Sequence, residues 1–304
     1  MPRPRPSSGS SSAGRIPSAP RSAGAASGVS AALRALDVRP SRRLGQNFLQ
    51  DPRVADRIAA LVEDELTEIL EIGPGLGALT ERLAGMGRRV TAVEVDLRLA
   101  DALERRFSGN RTGVRVVRGD ILSQRLEELL PGDAPVTVVA NLPYSITTPA
   151  LEWTLAQGPR VSRAFLMVQR EVADRMAARP GTRDHGSLAV FLALHAEIEP
   201  LFRVSPGAFY PRPDVESVVV RVTPRPYPGT TGAERAEAER LARAATTGRR
   251  KTVANALAHG LGIEPAKARA MLLEAGVDPA RRGETLSVPE WIALARTKTR
   301  GAER

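Results

Sequence analysis

The sequence predicts an α/β fold, in which helices cover a largely parallel sheet, followed by a smaller region made of helices alone. Two observations carry this prediction. Short apolar runs alternate with amphipathic stretches from Pro52 to about Val168, the pattern of strands joined by helical crossovers. After a proline-rich linker at residues 223–229 the pattern becomes wholly helical. With 304 residues, the chain is long enough for one large domain and a smaller one.

The first 30 residues differ in composition from the rest. They are rich in Ser, Ala, Pro, Gly and Arg, and they hold four arginines and no acidic residue. Such a segment cannot bury enough apolar surface to fold, so we expect a disordered basic tail over residues 1–30. Folded structure is expected to begin near Ala31.

The alternating segments can be assigned in chain order. Asp51 followed by Pro52 is a helix start, because the missing proline amide would have no helical partner there. Five strands are predicted at residues 68–72, 90–95, 114–118, 136–140 and 164–168. Helices are predicted between them at residues 79–86, 97–107 and 149–156. Apolar runs of this kind indicate parallel strands that are buried on both faces.

The end of the α/β region has a different pattern. Strands are predicted at residues 198–204 and 217–222 without a clear helix between them, so we expect an antiparallel pair at the sheet edge. Beyond the linker, residues 233–245 and 252–259 are amphipathic, and shorter helices follow to about residue 295. We therefore divide the chain into a tail (1–30), an α/β domain (31–223) and a helical domain (224–304).

Composition excludes several classes of function. The chain has no cysteine, which rules out a disulfide framework, a thiolate nucleophile and a thiolate metal site. Its three histidines share no metal-ligand spacing, and no apolar run approaches the roughly 18 residues of a membrane helix. We expect a cytoplasmic monomer without a metal or a membrane partner. A net charge of +10 favours a polyanionic partner.

Polar residues follow three successive predicted strands. Gly73, Gly75 and Gly77 form a turn after the first strand, where glycine lets the backbone approach a ligand and leaves helix amides pointing at it. Glu94 ends the second strand and Asp120 follows the third. Together they predict a nucleoside-shaped cleft at one edge of the sheet. An NAD enzyme, a methyltransferase or a tight turn with capping acids could each produce one of these features, and all three together favour an adenosyl ligand.

The fourth strand ends in the tetrapeptide Asn141-Leu142-Pro143-Tyr144. The Asn141 oxygen and a neighbouring backbone carbonyl can accept both hydrogens of an exocyclic amine, and Pro143 restricts the backbone around it. Tyr144 offers a ring on which a purine can stack. These features suit an amine acceptor and do nothing for hydride transfer. Pro74 also removes one amide that would hold a pyrophosphate, so both points favour S-adenosylmethionine over NAD.

Further motifs make the sequence resemble a known family. They are Leu44-Gly45-Gln46-Asn47-Phe48-Leu49, Gln169-Arg170-Glu171-Val172-Ala173 and the segments 206–213, 249–252 and 282–287. With the glycine-rich turn, Glu94, Asp120 and the Asn141 tetrapeptide, they resemble the KsgA-type ribosomal RNA adenine dimethyltransferases, which are relatives of the Erm resistance methyltransferases. The resemblance runs from about Leu33 to Leu294.

The resemblance implies a class I Rossmann-like methyltransferase domain with a small C-terminal all-helical domain. The implied cofactor is S-adenosylmethionine, and the implied cofactor-binding residues are Asn47, Leu49, Gly73, Gly75, Glu94, Asp120 and Asn141. In this scheme Glu94 binds the ribose, Asp120 binds the adenine and Gly73 lies against the methionine part. Phe48 is expected to dock in the core and so hold Asn47 over the cleft.

The implied reaction is dimethylation of the exocyclic amines of two adjacent adenosines near the 3′ end of small-subunit ribosomal RNA, coupled to small-subunit biogenesis. The residues expected to carry it are Asn141, Leu142, Pro143, Tyr144 and Phe209. Tyr144 and Phe209 would sandwich the flipped base. The RNA-binding residues of the helical domain would be Arg249, Arg250 and Lys251.

Two alternatives remain open at the level of sequence. One is an Erm-type methyltransferase that modifies large-subunit RNA and confers macrolide resistance, although Leu142, Gly45 and the 249–252 segment favour the small-subunit family. The other is an assembly factor whose main role is to bind immature small subunits. The two roles of enzyme and assembly factor need not exclude each other.

Overall fold

The computed structural model describes residues 23–41, 45–62, 68–108, 113–246, 248 and 250–302, without the side chains of 23–27, Tyr144 and 298–302. The strands are β1 Phe48–Leu49, β2 Glu68–Ile72, β3 Val90–Glu94, β4 Val114–Arg118, β5 Val136–Asn141, β6 Val161–Gln169, β7 Ala196–Val204, β8 Phe209–Tyr210 and β9 Ser217–Pro224. The helices of the α/β region are α1 Ala23–Ala35, α2 Pro52–Val62, α3 Ala78–Gly85, α4 Leu97–Phe107, α5 Leu126–Leu129, α6 Thr147–Ala156, α7 Arg170–Met176 and α8 Ser187–His195. The C-terminal helices are α9 Gly232–Thr246, α10 Val253–Leu261, α11 Pro265–Glu274 and α12 Val288–Ala302.

A seven-stranded sheet with the order β4-β3-β2-β5-β6-β9-β7 forms the centre of the molecule. Its first five strands pair in parallel, whereas β9 runs antiparallel to both β6 and β7. The predicted α/β fold and the antiparallel pair at the sheet edge are both confirmed. Strand β9 enters between β6 and β7, so the last strand along the chain is not the last strand in the sheet.

Helices cover both faces of this sheet, so the central strands are buried along nearly their whole length. All five residues of β3 are buried, as are the first five of β5. Alternate residues of β2 then enter different cores: Leu70 packs with α6 and α8 on one face, and Ile69 packs with α2 and α3 on the other. Glu71 follows the same alternation as Ile69 and therefore points toward the α2–α3 side.

The C-terminal helices share a core of their own, centred on Leu241, Leu257 and the fully buried Trp291. This core also includes Val190 and Leu194 of α8, so the helical region packs directly on the α/β region. The helical character predicted beyond the linker is confirmed. The division of the chain at residues 223 and 224 stays a prediction, although β9 ends at Pro224.

Helix α1 corrects the expected extent of the N-terminal tail. Residues 23–30 were expected to be disordered but fall within this helix, whereas residues 1–22 lie outside the described part of the chain. Leu33 is buried against Phe48 and Leu99, with Val29 packed at the edge of the same cluster. The helix is thus stabilised by tertiary contacts that the alanine- and serine-rich composition does not reveal.

Helix α8 was not predicted. Its sequence, Ser-Leu-Ala-Val-Phe-Leu-Ala-Leu-His, is apolar on every side, so it has no amphipathic pattern. The structure explains this composition, because one side of α8 packs against the sheet through Leu192 and another faces the helical region through Leu194.

Candidate active site

A cavity opens at the carboxyl ends of β2, β3, β4 and β5, where the sequence predicted a nucleoside-shaped cleft. It is lined by the predicted residues Asn47, Leu49, Gly73, Gly75, Glu94, Asp120 and Asn141. Leu142 and Pro143 also line it. Residues from four strand ends and from the segment before α2 therefore meet at one place, as expected where parallel strands end together.

The glycine-rich turn between β2 and α3 needs its glycines for two separate reasons. Gly75 has a φ of 60°, and a Cβ there would lie 3.1 Å from the Phe48 ring. Gly77 has a φ of 79°, and a Cβ there would lie 2.7 Å from the Leu103 side chain. Both positions combine a left-handed backbone with close packing, so the turn tolerates only glycine. The turn is thereby pressed against Phe48, which lines the cavity.

Glu94 binds the turn as well as facing the cavity. Its Oε2 accepts a hydrogen bond from the Gly75 amide at 2.9 Å, and its Oε1 accepts one from the Asp96 amide at 2.9 Å. Burial raises the pKa of Glu94, and these amide hydrogen bonds oppose the rise. Asp120 is oriented in a similar way, because its Oδ1 accepts a hydrogen bond from the Leu122 amide at 3.0 Å. Each carboxylate is thus held in place by nearby backbone.

The segment before α2 forms one wall of the cavity. Strand β1 pairs antiparallel with β8, so that Phe48 lies opposite Tyr210 and Leu49 opposite Phe209. Phe48 is buried, which confirms that it docks in the core. Asn47 is held over the cavity, because the side-chain Nδ2 of Asn141 donates a hydrogen bond to its carbonyl oxygen at 3.0 Å.

That hydrogen bond also sets the orientation of the Asn141 amide. With Nδ2 directed at the Asn47 carbonyl, Oδ1 must point the other way and can accept a hydrogen bond. Leu142 is buried and its amide donates to the Met167 carbonyl at 3.2 Å, while the Pro143 carbonyl accepts from the Ile146 amide at 3.1 Å. The backbone after β5 is therefore rigid. The Tyr144 side chain lies outside the described residues.

Phe209 does not line the cavity, contrary to the expected sandwich around a base. Its ring is 2% exposed and packs in the core with Leu49, Val204 and Val219. The physical reason is the pairing of β8 with β1, which turns Phe209 into the space between α2 and the sheet. A base could stack on this ring only if the ring left that core. Its role in base binding stays a prediction.

The basic cluster lies at the turn between α9 and α10. Arg250 and Lys251 are exposed, and neither forms an ion pair within the part of the chain that the structure describes. Arg249 lies outside the described residues. Thr252 then caps α10, because its Oγ1 accepts a hydrogen bond from the Asn255 amide. The two described cations thus stand on a turn fixed by a helix cap.

Glu71 is a cavity-lining residue whose role the sequence did not suggest. It is buried on β2, and it lies beside the glycine-rich turn. The sequence could have indicated this residue, because Glu71 is a charged residue in a strand that is otherwise apolar after its first position. Among all the described residues, the cavity lining included, no group of three or more His, Cys, Asp or Glu could hold a metal ion, and no helix is long and apolar enough to cross a membrane.

The fold and the cavity together define a class I Rossmann-like methyltransferase. The profile of the family described as ribosomal RNA adenine dimethylase matches residues 39–298, and the chain belongs to this family. It is 43% identical to the ribosomal RNA small subunit methyltransferase A of Geobacter metallireducens, over 87% of this chain and 97% of that protein. The protein with the same name from Moorella thermoacetica is 42% identical, over 85% of this chain and 92% of its own length.

Two solved structures share this fold. The crystal structure of the 23S rRNA methyltransferase ErmE is 30% identical and superposes with a TM-score of 0.60, covering 82% of this chain and 98% of that chain. A dimethyladenosine transferase from Plasmodium falciparum has a TM-score of 0.68 at 23% identity, covering 84% of this chain and 98% of its own. At that level of identity, the similarity to the Plasmodium falciparum structure shows only that the fold is shared.

Proposed function

We propose that this enzyme transfers methyl groups from S-adenosylmethionine to the exocyclic amines of two adjacent adenosines near the 3′ end of small-subunit ribosomal RNA. One observation carries the proposal. The Asn141 side-chain nitrogen donates to the Asn47 carbonyl, so the amide oxygen is directed away from that carbonyl and can accept a hydrogen bond, at the edge of a cavity suited to an adenosyl cofactor. An amine can therefore be aligned beside the cofactor.

The residues present fit S-adenosylmethionine. Glu94 and Asp120 are carboxylates that can accept from ribose hydroxyls and an adenine amine, and Gly73 and Gly75 let the ligand approach the backbone. Asn47 and Leu49 line the wall beside them, and Asn141, which also lines the cavity, would border the cofactor as well as the target base. The bound cofactor would supply an electrophilic methyl group.

The protein contributes orientation to the reaction. An adenine amine is a poor nucleophile, because its lone pair is delocalised into the ring. If the Asn141 oxygen and the Leu142 carbonyl accept its two hydrogens, the nitrogen becomes pyramidal and its lone pair can point at the methyl group. Pro143 keeps this stretch of backbone rigid, and Tyr144 would stack on the base. No histidine base is needed for this chemistry.

The named relatives support small-subunit RNA, rather than large-subunit RNA, as the substrate. The relatives from Geobacter and Moorella are named small subunit methyltransferases and are 43% and 42% identical, whereas ErmE is 30% identical. The exposed pair Arg250 and Lys251, with Arg249, would contact RNA phosphates from the helical region. Binding would then be shared between the cavity and this cluster.

Asn141→Ala tests the proposal. With the two acceptors reduced to one, the single-turnover rate of methyl transfer to small-subunit particles should fall by about a hundredfold or more, while cofactor affinity changes far less. Mass mapping of the RNA should locate the methylated adenines. Asn255→Ala, on the exposed surface of α10, is the matched control and should keep the normal rate. Normal transfer by Asn141→Ala, or transfer by the intact enzyme to large-subunit RNA alone, would contradict the proposal.

A further inference from the structure

Every ionisable side chain among the described residues that line the cavity is acidic. Glu71, Glu94 and Asp120 are acidic, and none of the others in this lining is lysine, arginine or histidine. Glu71 and Glu94 are 2% and 3% exposed, so water would screen a negative charge on either side chain poorly. A cavity built in this way favours a ligand that brings positive charge.

Glu71 differs from the other two carboxyls in its hydrogen bonding. Glu94 and Asp120 accept hydrogen bonds from backbone amides, as described above. The Oε2 of Glu71, in contrast, is buried without a hydrogen bond of standard geometry among the described residues, although Thr80 on α3 lies close enough to influence the carboxyl group. A buried, ionised carboxylate with an unsatisfied oxygen is costly, so the empty cavity favours the neutral acid.

The surroundings of Glu71 act in the same direction. Burial is the largest influence and raises the pKa of Glu71 to about 8, with the charge of Glu94 adding to the rise. The hydroxyl and the amide of Thr80 on α3 oppose it without reversing it. Asp120, from the end of β4, adds a third carboxyl to the same lining, and Asn141, from β5, is uncharged. The described lining thus offers Glu71 no cation.

We propose that Glu71 is neutral in the empty enzyme and releases its proton to solvent when the cationic cofactor enters, so that its carboxylate then balances the cofactor's charge. The inference rests on the proposed use of S-adenosylmethionine, which carries a sulfonium and an ammonium group against one carboxylate. One O–H bond of Glu71 breaks, its electron pair stays on the carboxylate, and the proton passes to the buffer. Glu71 is therefore a positioning residue for the cofactor.

Proton release makes cofactor affinity depend on pH. Because one proton leaves as one cofactor binds, the association constant should rise by up to about tenfold per pH unit while Glu71 is neutral in the empty enzyme. The dependence should level off above the pKa of about 8. This behaviour separates a charge-balancing role from a purely structural one, since loss of packing would weaken binding equally at every pH.

Calorimetry of S-adenosylmethionine binding to the full chain tests this, in pairs of buffers with different ionisation enthalpies. The buffer dependence of the binding enthalpy gives the number of protons released. Wild type should release close to one proton per cofactor near neutral pH. Glu71→Gln should release fewer and lose the pH dependence of its affinity. Glu127→Gln, at an exposed position on α5, is the matched control and should behave as wild type.

Equal proton release by wild type and Glu71→Gln would overturn the inference. If Glu71→Gln does not fold, infrared difference spectra of wild type decide the question: a protonated-carboxyl band should disappear when the cofactor binds, and its absence from the empty enzyme would also overturn the inference. Failure of the proposed function has a different signature, because wild type would then produce no binding heat at all.

Discussion

At the scale of single residues, the polar side chains around the cavity are held by backbone groups of neighbouring segments. Asn141 donates to the Asn47 carbonyl, Glu94 accepts from the Gly75 amide and Asp120 accepts from the Leu122 amide. Side chains oriented in this way need little rearrangement when a ligand arrives, and such preorganisation is what methyl transfer by alignment requires. The cavity thus contains these three polar side chains in defined orientations.

Replacing Phe209 distinguishes a role in core packing from a role in stacking on the base. Phe209 is a core residue that is 2% exposed. Phe209→Ala should therefore lower the free energy of unfolding by about 3–5 kcal/mol, because the substitution leaves a cavity in the core. Denaturant titration measures this loss. Phe165→Ala, a ring buried to the same degree in the same core, is the control for general destabilisation.

The product ratio of the same variant tests the base-stacking role that the sequence indicated. If Phe209 stays in the core, Phe209→Ala and Phe165→Ala should give the same ratio of monomethyladenosine to dimethyladenosine by mass spectrometry. Accumulation of monomethyladenosine in Phe209→Ala alone would mean that the ring leaves the core and contacts the base during the second transfer.

At the scale of elements, the turn between α9 and α10 is expected to bind RNA phosphates. Replacing Arg250 and Lys251 by glutamine should weaken binding to small-subunit particles and reduce the slope of log K against log salt by roughly 0.7–0.9 per lost contact. Filter binding across a salt series measures the slope. Lys267→Gln with Arg269→Gln, an exposed pair on α11, should leave it unchanged. An unaltered slope in the Arg250 and Lys251 variant would make the turn a solvated surface only.

Helix α1 links two walls of the cavity that are distant along the chain. Its residue Leu33 packs against Phe48, from the segment before α2, and against Leu99, from α4, and both of these side chains line the cavity. Arg98 on α4 also donates a hydrogen bond to the Asp37 carbonyl just after α1. The family profile begins only at residue 39, so this support lies outside the matched region.

At the scale of the whole molecule, Glu71 makes the stability of the empty protein depend on pH. The pKa of Glu71 is raised in the folded state from an ordinary value of 4.5 to about 8. The folded state therefore holds this proton more tightly than the unfolded chain, so the stabilisation is complete below about pH 4.5 and is lost as pH rises toward 8.

Urea titrations at several pH values measure this effect. Over the pH range in which the stabilisation by Glu71 is lost, the contribution of this residue should lower the free energy of unfolding by up to about 1.4 kcal/mol per pH unit. Glu71→Gln removes the titrating group, so the difference between wild type and the variant isolates it from Glu94, whose pKa is raised in the same direction. Parallel pH profiles for the two proteins would contradict the assignment.

Much of this architecture follows from local sequence. Strands β2 and β4 begin and end where the apolar runs do, at residues 68–72 and 114–118, and α4 matches residues 97–107. Strand β6 is longer than expected, from Val161 rather than residue 164, because the partly buried polar residues Ser162 and Arg163 interrupt the apolar run near its start. Local patterns predict an element well when burial is uniform along it, and its ends less well when burial changes.

The sequence by itself therefore determined the α/β class, the helical C-terminal region and the set of strand-end residues that meet at the cavity. Those features depend on neighbours in the chain and on the rule that parallel strands end at one edge. Only the tertiary structure decided that Phe209 is buried, that α1 packs on residues that line the cavity and that Glu71 is a buried carboxyl group in the cavity lining. Each of these depends on contacts between segments far apart in sequence, such as β1 with β8, and on the water that those contacts exclude.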